Sequence, residues 1–156
     1  MQRTLVLVKP DGVQRGLIGE ILARFERKGL KVSGLRFLTV PRPMAEEHYA
    51  VHAGKHFYPG LVEFITSGPV AAIALDGPDA IAVVRRLVGK TMPNEADAGT
   101  IRGDLGISGL RNLIHASDAA ETAETELALW FEPGTLLDYG RAIDAWIVAE
   151  EPSAAG

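Results

Sequence analysis

The sequence predicts an α+β fold, a sandwich of the split βαβ kind in which helices pack on one antiparallel sheet. Three observations carry this. Short apolar runs of strand length alternate with runs of helical spacing in the order β-α-β, short helices, β-α-loop-β-α. At 156 residues the chain is about one domain long, enough to bury roughly 70% of the surface of its unfolded form. No internal repeat, low-complexity stretch or linker divides it.

The elements follow from local pattern. Residues 4–8 are aliphatic and β-branched without a polar interruption, which predicts a strand buried on both faces. Lys9-Pro10-Asp11-Gly12 is read as the turn that ends it. Leu17, Ile18, Ile21, Leu22 and Phe25 recur at helical spacing, and Gly29 supplies the stop. Residues 30–40 read as a second strand. Pro43 suits a first helical turn, so a short helix through Glu46, Glu47 and His48 is expected. Residues 61–67 read as another short helix and 69–75 as a third strand. A helix over 79–88 places Ile81, Val84 and Val88 on one face.

Residues 89–110 are rich in Gly, Pro, Asn and Asp and have no clear period. A loop this long inside one domain is usually functional. Leu113 and Ile114 are expected to form a last short strand ending at His115. Asp118 with Glu121 reads as a capping box for a helix reaching Trp130. The tail around and after Leu137 carries an apolar patch (Leu136, Leu137, Ile143, Trp146, Ile147, Val148) before a fraying end, Pro152-Ser153-Ala154-Ala155-Gly156.

Composition bounds the chemistry. With no cysteine there is no disulfide, no thiolate metal site and no cysteine nucleophile. A net charge of −4 without a basic block argues against general affinity for nucleic-acid backbone, so any phosphate binding must come from a few placed cations. No signal-like or bilayer-length apolar segment is present, and the expected location is cytoplasmic. Neither a Gly-x-x-x-x-Gly-Lys-Ser/Thr loop nor a Gly-x-Gly-x-x-Gly fingerprint occurs.

Three groups of residues could carry chemistry. His115 sits among polar neighbours in Arg111-Asn112-Leu113-Ile114-His115-Ala116-Ser117-Asp118. On the helix that follows, Ala119, Ala123, Glu126, Leu127 and Trp130 share a face, which turns the Glu126 carboxylate inward. An inward carboxylate needs a partner, and His115 is the natural one, directly or through Ser117. A histidine oriented in this way can act as a nucleophile. The second group is Arg85 and Arg102 with Thr91 and Thr100 around the long loop. Arginine engages phosphate oxygens through two donors at once, and the glycines beside Arg102 would let backbone approach a ligand. The third is the series His48, His52 and His56, whose four-residue steps could align metal ligands. No HExxH pattern accompanies them, and Gly54 is expected to end that helix before His56.

Taken together, these segments resemble the nucleoside diphosphate kinase family from about residue 4 to 138. The motifs are Thr4-Leu5-Val6-Leu7-Val8-Lys9-Pro10-Asp11-Gly12-Val13, the run from Phe57-Tyr58-Pro59-Gly60-Leu61 to Ser67-Gly68-Pro69, Gly99-Thr100-Ile101-Arg102-Gly103-Asp104, and Asn112-Leu113-Ile114-His115-Ala116-Ser117-Asp118. The resemblance implies a ferredoxin-like domain over 1–138 with a C-terminal extension over 139–156. It implies that His115 attacks the γ-phosphate of a nucleoside triphosphate such as ATP and passes it to a nucleoside diphosphate by a ping-pong route. Lys9 and Asn112 would bind the ribose hydroxyls and the reacting phosphate region. Arg85, Thr91, Arg102 and His52 would hold phosphates, with Tyr49 close by. Phe57 and Leu61 would cover the base, and Ser117 and Glu126 would orient the histidine. Mg²⁺ would ride mainly on the nucleotide phosphates, with no metal site of the chain's own, and a homotetramer or homohexamer is expected.

Two departures from the family pattern carry expectations. Ala116 stands where glycine is usual, and its methyl would crowd the backbone if φ were positive there. Gly109-Leu110 replaces an aliphatic residue followed by glycine, so the aliphatic wall against the base is expected to be lost or displaced. Two other classes are weighed. A non-catalytic nucleotide-binding scaffold would lack the histidine or a phosphate arginine, and neither is missing. A metal-dependent hydrolase would need His48, His52 and His56 to converge.

Overall fold

Strand β1 (Gln2–Val8) lies inside the sheet in the computed structural model, which describes residues 1–150. It pairs antiparallel with β3 (Pro69–Gly77) on one side and with β4 (Ile114–Ala116) on the other, and β3 pairs antiparallel with the edge strand β2 (Lys31–Thr39). The order β2-β3-β1-β4 is the ferredoxin-like arrangement.

Alternation along β1 explains its unbroken apolar run. Val6 and Val8 join a core with Ile21, Phe25, Ile73, Leu75 and Val84, whereas Leu5 and Leu7 join Val62, Ile65, Leu127 and Trp130 on the opposite face. Thr4 through Val8 are all fully buried, as a strand covered on both faces requires. Helix α2 (Ile18–Lys28) buries Ile21 and Phe25, one turn apart, and stops at Gly29, whose φ of 105° suits a residue without Cβ. Helix α5 (Ala80–Val88) buries Ile81, Val84 and Val88.

Several local expectations are corrected. The segment after β1 is a short helix, α1 (Pro10–Gln14), not a turn, because Pro10 enters at the first helical position, where its missing N–H costs nothing. Helix α3 (Arg42–His48) follows β2, and a 3₁₀ turn at Ala50–His52 follows α3. Helix α4 (Tyr58–Thr66) begins three residues earlier than its apolar pattern suggested. The region 89–110 contains a 3₁₀ turn at Pro93–Glu95 and a helix, α6 (Ile101–Leu105), capped by the Thr100 side chain, which accepts from Gly103 N. Leu113 precedes β4 in a positive-φ conformation, and the strand runs through His115 to Ala116.

Helix α7 (Ala120–Trp130) has no capping box. Its N-cap is Ala119, no side chain caps it, and Asp118 is exposed. Ala119 is exposed as well, so the inward face consists of Ala123, Glu126, Leu127 and Trp130. The tail carries a further short helix, α8 (Asp144–Ile147), held by Arg141, whose guanidinium donates to the carbonyls of Gly29 and Leu30. The expected fraying of 152–156 lies outside the described residues.

Candidate active site

A cavity of about 730 Å³ opens on the β4 side of the sheet. Lys9, Tyr49, His52, Phe57, Leu61, Arg85, Thr91, Arg102, Asn112, His115 and Glu126 all line it. Ser117 does not; it lies fully buried beneath, where its hydroxyl donates to Glu126 Oε1 at 2.6 Å. The elements that supply these groups are distant in sequence. Lys9 follows β1, Tyr49 and His52 follow α3, Phe57 precedes α4, Arg85 comes from α5, Arg102 from α6 and His115 from β4.

At the centre, His115 Nε2 lies 2.8 Å from Glu126 Oε2. A carboxylate can only accept, so Nε2 carries the proton and donates, which leaves the lone pair of the neutral ring on Nδ1. Burial alone would push the Glu126 carboxyl up. The hydrogen bonds donated by His115 and Ser117, with the attraction to the imidazoles in their protonated forms, outweigh burial and hold it below the usual range.

His48 completes this cluster, although the sequence offered it only within a series of histidines at four-residue steps. Its side chain is almost fully buried, its ring stands edge-on to that of His115 with centroids 4.7 Å apart, and Trp130 Nε1 donates to its Nδ1 at 3.1 Å. Burial, aided by the neighbouring His115, lowers its pKa to about 4, so it is neutral at pH 7. The series His48, His52 and His56 does not converge on a common site. His56 is exposed and outside the cavity lining, and the three-ligand group found among the described residues is instead His48, His115 and Glu126. The Nδ1 of His48 is already engaged by Trp130, and two imidazoles do not make the oxygen-rich set that magnesium prefers.

The cationic wall is built from buried groups. Arg102 is 6% exposed and donates to three backbone carbonyls, from Nε to Asn112, from Nη1 to Gly89 and from Nη2 to Ile114. Five N–H groups leave two for the cavity. Burial and the nearby Arg85 lower its pKa to about 10, which still leaves it charged at neutral pH. Lys9 Nζ contacts Asn112 Oδ1, and Asn112 Nδ2 donates to Thr91 O at 3.0 Å. Burial lowers Lys9 to about 8, partly offset by Asp11. Burial and Glu126 raise the Tyr49 phenol to about 12. Arg85 Nη1 reaches Ala116 O at 3.3 Å.

Gly103, beside Arg102, serves a different purpose from the one its pattern suggested. A Cβ on Gly103 would lie 2.0 Å from Asp97 O, so this glycine lets the loop close on itself. Ala116 does not have positive φ. It is an ordinary strand residue paired with Val6, and its methyl is accommodated. The space beside Gly109 is occupied by Met92, whose Sδ and Cε would lie 2.6 and 2.7 Å from a Cβ there.

Comparison with known proteins agrees with this geometry. The sequence pattern of the family described as Nucleoside diphosphate kinase matches residues 2–136. A nucleoside diphosphate kinase of Synechococcus elongatus is 54% identical over 147 residues, covering 94% of this chain and 99% of the relative. One from Listeria monocytogenes is 55% identical over 147 residues, covering 94% and 100%. Among solved structures, a nucleoside diphosphate kinase family protein from Babesia bovis superposes with a TM-score of 0.93 at 49% identity, covering 95% of this chain and all of that one. A halophilic nucleoside diphosphate kinase from Halobacterium salinarum in complex with CDP gives 0.92 at 50% identity, covering 94% and 98%. With its sheet order, its histidine–carboxylate pair and its cationic cavity, this chain belongs to the nucleoside diphosphate kinase family.

Proposed function

We propose that His115 accepts the γ-phosphate of a nucleoside triphosphate on Nδ1 and returns it to a nucleoside diphosphate. The observation that carries this is the Nε2–Glu126 hydrogen bond, which places the ring's lone pair on Nδ1, in a cavity walled by Lys9, Arg85 and Arg102. In the first half-reaction the Nδ1 lone pair forms a bond to phosphorus while the bond to the β–γ bridging oxygen breaks, and the nucleoside diphosphate leaves with that electron pair. In the second, a terminal oxygen of the acceptor diphosphate attacks phosphorus and the N–P pair returns to Nδ1. The Nε2 proton stays on the ring throughout, and Glu126 offsets the positive charge that develops there.

The remaining work is positioning and charge stabilisation. Arg85, Arg102, Thr91 and His52 hold the phosphate oxygens, Lys9 and Asn112 span the ribose hydroxyls and the transferring group, and Tyr49 lies beside it. Phe57 and Leu61 cover the base. The CDP in the Halobacterium relative supports a nucleoside diphosphate as one partner. A Mg²⁺ ion carried on the nucleotide phosphates would shield their charge, whereas the imidazole-rich cluster at His115 does not suit it.

The protein is inferred to act in the cytoplasm, and no helix among the described residues is long and apolar enough to cross a membrane. A homotetramer or homohexamer is inferred from the edge strand β2, which leaves Leu35 and Phe37 exposed; light-scattering mass tests this.

The deciding experiment is brief mixing with γ-phosphate-labelled ATP. Label should remain on the protein, labile to acid and stable to base, and be chased off by a second nucleoside diphosphate. His115→Ala should fold and take no label. Acid-stable label, or label on that variant, overturns the assignment.

A further inference from the structure

Leu113 joins the cavity wall to β4 through a conformation that leucine ordinarily avoids. Its φ is +73°, and Ile114 N donates to Asn112 O at 2.8 Å across it. Residues 112–114 therefore form a γ-turn of the rare positive-φ kind. Such a conformation persists only where the surroundings impose it.

Here the imposing segment is the end of β1 with helix α1. Leu113 O accepts from Lys9 N at 2.9 Å, and Leu113 N donates to Asp11 Oδ2 at 2.9 Å. Gly12 presses against the same carbonyl; a Cβ there would lie 3.1 Å from Leu113 O and 2.7 Å from Val8 Cγ1. The Leu113 side chain is fully buried in the core. Both polar groups of the residue are thus tied to one short segment while its side chain is fixed elsewhere.

What the turn joins gives it a consequence. Asn112, on one side, touches Lys9 Nζ and Thr91 O, and its carbonyl accepts from Arg102 Nε. His115, on the other, is the residue immediately after the turn. Relaxing Leu113 to negative φ would rotate these two groups relative to each other. Asp11 itself does not line the cavity, and its second oxygen, Oδ1, is buried without a hydrogen-bond partner among the described residues. A buried acceptor left unpaired is costly, so stability alone does not explain a carboxylate here.

We propose that Asp11 is a positioning residue that clamps the strained turn at Leu113 and so holds His115 in register with the Lys9–Asn112 side of the cavity. This rests on the reading of His115 as the phosphate acceptor. Its charge also favours the protonated form of Lys9, so a neutral substitute separates clamping from charge.

The test compares Asp11→Asn, which keeps an oxygen able to accept from Leu113 N, with Asp11→Ala, which does not. Rapid-quench labelling with γ-phosphate-labelled ATP measures phosphohistidine formation per folded molecule, and hydrogen exchange measures protection of the Leu113 amide. Asp11→Ala should lose that protection and slow labelling by roughly 10- to 100-fold, the range of an orienting partner, with half-saturation by nucleotide changed less than threefold. Asp11→Asn should keep more of both. If Asp11→Ala does not fold, Asp11→Asn decides, because rate and protection must rise or fall together. Lost protection with a wild-type rate, a slowed rate with intact protection, or a defect confined to half-saturation overturns the proposal. A wild-type chain that takes no label overturns both readings, whereas labelled wild type with an unaffected Asp11→Ala overturns this one alone.

Discussion

Glu126 Oε2 accepts from Nε2 of His115 at 2.8 Å, while the other oxygen of the same carboxylate accepts from Ser117 at 2.6 Å. One inward side chain on α7 thereby sets both the orientation and the tautomer of the ring. It can do so because helical spacing points Glu126 at the sheet, where β4 presents His115.

Replacing Glu126 with Gln keeps the hydrogen-bonding volume and removes the charge. The amide no longer offsets positive charge on the ring, so phosphorylation of His115 in a single turnover should slow by roughly 10²-fold or less. An unchanged single-turnover rate would make Glu126 a purely structural residue.

Acid should weaken the fold in two windows. His48 binds a proton in the unfolded chain near pH 6.5 but in the folded one only near pH 4, so between these values the unfolded state holds more protons and stability falls as pH falls. Glu126, depressed in the folded state, contributes stability present above its unfolded pKa and lost as pH drops through its lower folded one. The wild-type Tm should therefore decline from about pH 6.5 downward, as His48 begins to take up a proton in the unfolded chain alone. His48→Gln should flatten the first part of that decline and leave the second; an identical pH profile in the variant contradicts the buried neutral histidine.

Base recognition should be broad. Phe57 and Leu61 offer apolar faces without hydrogen bonds, and stacking serves every base. Steady-state kcat/KM for adenine, guanine, cytosine and uracil nucleotides should fall within one or two decades, about 1–3 kcal/mol. Phe57→Ala should weaken nucleotide binding by roughly 1–3 kcal/mol with phosphohistidine still forming. Gly109→Val should tighten binding modestly, provided Met92 swings aside, which the far end of a flexible side chain can do. A strict preference for one base would reveal a polar contact to its edge.

Ala116→Gly, which restores the residue usual in the family, should leave turnover unchanged. Ala116 is nearly buried in a strand, so the change should cost about 0.5–1 kcal/mol in denaturant unfolding through backbone entropy. A gain in rate would show that the methyl does hinder the site.

Much of the fold was legible because burial leaves a local period. The continuous run at residues 4–8, the helical spacing of Ile21 and Phe25, and the misplaced acid at Glu126 each report which way a side chain faces, and facing is a property of neighbours in sequence. The weaker inferences also have physical causes. A proline at a helix entrance resembles a turn, as at Pro10, and a cap at Thr100 hides a five-residue helix inside a glycine-rich stretch. His48 gave no signal, since nothing local shows that Trp130 will reach it from 82 residues away.

The sequence by itself determined the strands and most of the helices, and it marked Glu126 as an inward acid and His115 as its candidate partner, because these depend on spacing and residue type. Only the tertiary structure decided that Lys9 meets Asn112 across 103 residues, that Glu126 leaves Nδ1 of His115 free, and that Leu113 takes a positive φ. Those features arise from register and packing between distant segments. At Leu113 the hydrogen bonds from α1 and the buried side chain overrule the residue's own preference, and no local pattern records that contest.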